Sequence, residues 1–145
     1  MKLLSILLLT VVLSKGCTED QKQTMESSTI EYTATTRGFN QKIIVNNKTF
    51  KLTRNLRGKD TLIQNTISDK DWNDLVLAFQ DINLDELQNL KSPTEKRFYD
   101  GAAIANLKII HKDKSYESNS FDHGFPPQEI EKLVTKINSL AINEQ

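Results

Sequence analysis

The 145 residues contain one cysteine, three prolines and two histidines, so the chain is poor in the residue types most used for staples, stiff linkers and metal chemistry. A lone Cys17 excludes an internal disulfide and any zinc site built from clustered thiolates. The longest apolar run, Leu3 to Leu13, is well short of the roughly 20 residues that a membrane-spanning helix needs. Charge of one sign is not in excess either, since 19 Lys and Arg stand against 19 Asp and Glu. Neither an H-E-x-x-H ligand pair nor the glycine-flanked serine of a hydrolase elbow is present. The sequence also lacks internal repeats of solenoid type.

What is there begins with an export signal. "MKLLSILLLTVVLSKGC" has one Lys, then the short apolar run, then small residues before Cys17, the pattern of a secretory signal covering residues 1–16. A lone thiol in an exported chain calls for an explanation. "LSKGC" resembles a bacterial lipoprotein box, with Gly16 before a cysteine that would become the acylated N-terminus. An ordinary signal cleaved after Gly16 also fits Ser14 and Gly16. Residues 17–28 are polar and without periodicity, which suits a lipidated, flexible tether. Glu19 and Asp20 resemble the surface-export signal of some outer-membrane lipoproteins, which implies a cell-envelope location anchored in the outer membrane and facing outward. Loss of residues 1–16 removes Lys2 and Lys15 from the 19 basic residues, so the mature net charge is −2. Phosphate neutralisation has no basis in that balance, and nucleic-acid binding is not expected.

Residues 29–145 read as a single domain with a modest core, expected to be a monomer. "IEYTATTRGFNQKIIVNNKTFKLTRN" alternates and is rich in Thr, Tyr, Ile and Val, which predicts three strands with turns at Arg37-Gly38-Phe39-Asn40 and Asn46-Asn47. "LRGKDTLIQNTI" reads as an irregular link. Ser68 then caps a helix, with Asp71 three residues on and Trp72, Leu75, Val76 and Phe79 at helical spacing. "INLDELQNLK" predicts a short turn covering a sheet edge. Ala103 to His111 and Tyr116 to Phe121 form a second hairpin with Asp113 and Lys114 near its tip. Finally, Pro126 and Pro127 open a helix whose Ile130, Leu133, Val134, Ile137 and Leu140 share one face. The order is βββ-α-ββ-α: an α+β domain, with an antiparallel sheet of four to five strands and both helices on one face.

"SNSFDHGFPPQEI" gathers Ser120, Asp122 and His123 beside Gly124. Strand alternation sends Ser120 and Asp122 to one face and His123 to the other, so a nucleophile and its base do not meet. Hairpin pairing places His123 opposite Ala103 or Ile104, roughly 25 Å from His111 at the usual strand rise. Two histidines so far apart cannot share a metal ion. No catalytic residue, metal ligand or cofactor site is therefore expected, and the stretch reads as a strand-to-helix corner. Phe125 is placed there to staple the helix start against Ile130. Candidate partner-binding residues are Arg37 and Phe39 in "RGFN" and Arg97, Phe98 and Tyr99 in "TEKRFYDG", the residue types that dominate binding hot spots.

Arg37-Gly38-Phe39, Ile43, "SDKDWNDLVLAF", Asp100-Gly101 and "FDHGFPPQEIEKLVTKI" together resemble emfourin, a small protein inhibitor of thermolysin-like metalloproteases, and small bacterial lipoproteins, over residues 30–141. The resemblance implies an inhibitor that works by surface complementarity and has no chemistry of its own. The expected partners are thus the membrane, through the N-terminal lipid, and a secreted or envelope protease. A structural or assembly accessory of the envelope is the other reading that these residues allow.

Overall fold

The computed structural model describes residues 24–142. The expected signal sequence, Cys17 and the first part of the tether lie outside the described residues. Four strands come first: β1 (Ser28–Thr36), β2 (Phe39–Asn46), β3 (Thr49–Leu56) and β4 (Lys59–Thr66). Helix α1 (Asp69–Gln80) and two 3-10 turns, Leu84–Asn89 and Lys96–Tyr99, follow. Then come β5 (Ile104–His111), β6 (Lys114–Glu117), β7 (Phe121–Asp122), a 3-10 turn at Gln128–Ile130 and α2 (Glu131–Ile142). The sheet is antiparallel throughout, in the order β4-β3-β2-β1-β5-β6, with β7 also paired to β5.

Period-two alternation makes the sheet one-sided. Ile30, Tyr32, Ile43, Val45, Leu52, Ala105, Leu107 and Ile109 are all buried on one face. Against them pack Trp72, Leu75, Val76 and Phe79 from α1 and Leu133, Val134 and Ile137 from α2, in one core cluster. The Ser68 cap forms as its spacing predicts: its hydroxyl accepts from the Asp71 N–H at 3.1 Å and donates to the Asp71 carboxylate at 2.7 Å. Lys136 of α2 reaches the Asp71 and Asp74 carboxylates at 2.7 and 2.9 Å, fastening the two helices together.

The α+β class and the antiparallel sheet match the sequence expectation, while the strand count exceeds it. The "LRGKDTLIQNTI" link is a hairpin, with Arg57-Gly58 as a two-residue turn in the left-handed region and β4 as the outermost strand. Only Ile63 of β4 packs on the core, and Leu62 is 68% exposed, so this edge strand carries almost no alternation signal. The second turn falls at Asn47-Lys48, one residue later than expected. The fold also begins earlier than residue 29: Met25 is buried in the core and Ser28 already belongs to β1.

The Tyr116-to-Phe121 strand is broken. Between the pairs Lys108–Glu117 and Ala105–Phe121, β5 spends two residues where the facing chain spends three. That extra residue is a bulge. Ser118 bridges it, its N–H donating to the Leu107 carbonyl at 2.9 Å and its hydroxyl accepting from the Leu107 N–H at 3.0 Å. The bulge turns Phe121 to the core face opposite Ala105. The Leu84–Asn89 turn lies along the β6 edge as the sequence predicts, held by Lys114 to Asp85 at 3.2 Å and by the Asn119 amide to the Gln88 carbonyl at 2.7 Å.

Candidate functional site

Registers Thr36–Phe39, Leu56–Lys59, Thr35–Ile104 and Ile104–Asp122 place four segments at one end of the sheet. These are the Arg37-Gly38 turn, the Arg57-Gly58 turn, the corner after β7 and the loop at residues 92–101. The two stretches singled out for Arg and aromatic content, far apart in sequence, therefore share one end of the molecule.

Asp122 organises this end. Its side chain is fully buried, and alternation after the bulge turns it away from Phe121 toward the loop. One carboxylate oxygen accepts from the Thr94 hydroxyl at 2.5 Å and the Lys96 N–H at 2.6 Å; the other accepts from the Arg97 N–H at 3.1 Å and the Arg97 Nη1 at 3.0 Å. Burial pushes the carboxyl up. The Thr94 and Arg97 side chains and the two backbone donors outweigh it and hold the group at about 2. Arg97 Nη1 also donates to the Ser92 hydroxyl and the Thr94 carbonyl. Its side chain is only 10% exposed, so Arg97 braces the loop from within and does not face solvent as a contact residue.

The loop so fixed carries Phe98 and Tyr99 outward, at 72% and 70% exposure. Asp100 sits in the left-handed region at φ 58°, and the Gly101 N–H donates to the Lys96 carbonyl at 2.8 Å. A Cβ on Gly101 would stand 2.9 Å from the Tyr99 ring and 3.2 Å from the Lys96 carbonyl oxygen, so a larger residue there would displace the ring from its place across the backbone. Arg97 stacks over Phe98 at 4.3 Å, and the Lys96 ammonium lies 3.8 Å over the Phe125 ring. Phe125, expected as a helix staple, is 40% exposed and extends the aromatic patch.

His123 faces the opposite way from Asp122. Its Nδ1 is 2.7 Å from the Tyr32 hydroxyl, and its ring contacts Tyr32 and Phe39 at 5.9 and 5.8 Å between centroids. Burial and the nearby Arg54 charge both lower its pKa, which favours the neutral ring. Burial pushes the Tyr32 hydroxyl well above its ordinary range. The corner itself is a tight turn in which the Phe125 N–H donates to the Asp122 carbonyl at 2.9 Å, with Gly124 at φ 89°, the conformation that position of a type II turn demands. Arg37 is exposed at its turn, while Phe39 is half-buried beneath His123.

Beside His123 opens a cleft of about 360 Å³ between the sheet and α2. Gln41, Arg54 and Asn138 line it with His123. Arg54 Nε and Nη2 both donate to the Gln41 Oε1, at 3.0 and 2.8 Å, and the Gln41 Nε2 donates to the Asn138 Oδ1 at 3.1 Å. Sequence reasoning did not find this network. Gln41 interrupts an otherwise apolar inward row of β2, and that interruption is the one signal the sequence carried. Among the described residues no group of three or more His, Cys, Asp or Glu could hold a metal ion. His111, at the far end of β5, is bonded to the Ser28 hydroxyl at 2.9 Å. Searches of protein-family models, curated proteins and solved structures found no match to the chain.

Proposed function

We propose that the chain is a membrane-anchored bacterial lipoprotein whose domain is a non-catalytic protein-binding module, with secreted or envelope proteases as its target class. One observation carries the reading: Phe98 and Tyr99 are displayed on a loop that a fully buried carboxylate has already ordered. Exposed aromatics bind best when little side-chain and loop freedom remains to be lost on contact. Phe125 adds a third partly exposed ring beside Lys96, and aromatic side chains are enriched at interfaces. The buried Asp122 carboxylate nearby is committed to the loop. The anchor rests on the sequence alone, through Cys17 and the polar segment behind it.

The test is inhibition. The soluble domain, from residue 24 onward, is titrated against metallo, serine and cysteine proteases, with Tyr99→Ala and Phe98→Ala in parallel. The reading expects stoichiometric inhibition of at least one enzyme, weakened by about 2 kcal/mol or more per truncated aromatic, as for hot-spot residues generally. No inhibition across the panel removes the protease target and leaves a passive accessory of the envelope. Inhibition that survives both substitutions removes the loop.

A further inference from the structure

Among the described residues, the cleft beside His123 holds a charge without a counter-charge. Arg54 is half-buried, yet both of its hydrogen bonds end on one neutral amide oxygen of Gln41. Among the described residues no carboxylate forms an ion pair with it. Partly desolvating a guanidinium without an anion is unfavourable, and among the described residues its Nη1 has no hydrogen-bond acceptor. Neighbouring groups reinforce the polarity. His123 lies at the same cleft with its Nδ1 2.7 Å from the Tyr32 hydroxyl; in the tautomer in which that hydroxyl donates, Nε2 carries the proton and is a second donor. Pro126, Val134, Ala141 and Ile142 give the cleft an apolar wall, beside which Thr135 and Ser139 add two hydroxyl-bearing side chains. At about 360 Å³ the space suits a small group, at the lower end of the usual range for ligand pockets.

We propose that this cleft binds a carboxylate carried on a short apolar body, the anion held by Arg54 with His123 beside it and the apolar part resting against α2. Two sources present that chemistry: the C-terminus of a polypeptide ending in an aliphatic residue, and a free short-chain carboxylic acid. A guanidinium meets a carboxylate through two parallel hydrogen bonds, which distinguishes the acid from its uncharged amide. The site is independent of the aromatic loop, so loss of binding in an Arg54 variant and loss of inhibition in a Tyr99 variant are separate results.

Calorimetric titration of the full mature chain with N-acetyl-alanyl-leucine, with its C-terminal amide and with hexanoate tests this. The acid binds, and the amide binds at least tenfold more weakly. Hexanoate binding as well as the peptide acid assigns a free carboxylic acid, whereas peptide binding alone assigns a chain end. Arg54→Gln abolishes binding of the acid and Arg54→Lys retains part of it. The acid–amide comparison needs no variant, so it stands even if Arg54→Gln fails to fold. Equal binding of acid and amide, or binding of neither, overturns the proposal. Binding that emerges only after deletion of residues 143–145 also overturns it, by assigning the cleft to the chain's own end.

Discussion

Asp122→Asn tests the clamp on which the display of Phe98 and Tyr99 depends. The carboxylate takes four hydrogen bonds, two on each oxygen, from Thr94, Lys96 and Arg97. An amide of the same shape accepts with one oxygen only, so in either orientation two donors face an NH2 group. Arg97, already without a partner for its Nε, loses its counter-charge. Removing one partner of a buried ion pair costs about 3–5 kcal/mol. Linkage gives a second figure: a carboxyl held at about 2 against an ordinary 3.8 contributes about 2.5 kcal/mol at neutral pH. A loss near 3 kcal/mol is a large share of the 5–15 kcal/mol typical of a domain. In urea, with a slope of about 1–3 kcal/mol per molar, the midpoint falls by about 1–3 M. The sign with pH is fixed, because the folded pKa lies below the unfolded one: the stabilisation is complete above about 4 and is lost as pH falls toward about 2. The gap between wild type and Asp122→Asn therefore closes over that acid interval. A midpoint shift equivalent to less than about 1 kcal/mol, or a gap unchanged from pH 7 to 2, would refute the reasoning.

Other perturbations reach different parts of the account. Cys17→Ala should abolish palmitate labelling and move the protein out of the membrane fraction; unchanged fractionation would count against the anchor. Gly101→Ala brings a methyl group against the Tyr99 ring and the Lys96 carbonyl, and thermal melting should show a loss of about 1 kcal/mol, with a larger effect on partner binding than on stability. Tyr32→Phe removes the hydroxyl that meets His123, which should cost about 1 kcal/mol in denaturant unfolding. The His123 pKa is lowered in the fold, so the stability it contributes is present above its unfolded value and is lost as pH falls toward the folded one. An NMR titration that places His123 above 6.5 would contradict this.

Local patterns made much of the fold readable. Trp72, Leu75, Val76 and Phe79, the Ser68 cap and the alternation of β1 and β2 are written in near neighbours, where period and capping chemistry act directly. Strand β4 was hidden because an edge strand buries little, and its adjacent Leu62 and Ile63 break the alternation. The bulge at residues 118–120 was hidden because one extra residue leaves no compositional mark and is decided by how Ser118 meets Leu107. At the site, the Arg and aromatic content of residues 94–101 was visible. The inward turn of Arg97 was not, since its cause, Asp122, lies 25 residues away and in sequence looks like an ordinary polar turn residue. The Gln41–Arg54–Asn138 network spans three elements and needed the sheet register to be seen.

Protein recognition through the ordered aromatic loop is tested most directly by a photo-crosslinking residue, p-benzoylphenylalanine, placed at Tyr99 in cells that make the protein. The same residue at Leu62, equally exposed but on the β4 edge, is the control. A discrete adduct of one partner at position 99, absent at 62 and lost with Asp122→Asn, is the predicted result. No adduct at 99, or the same adducts at both positions, would contradict it.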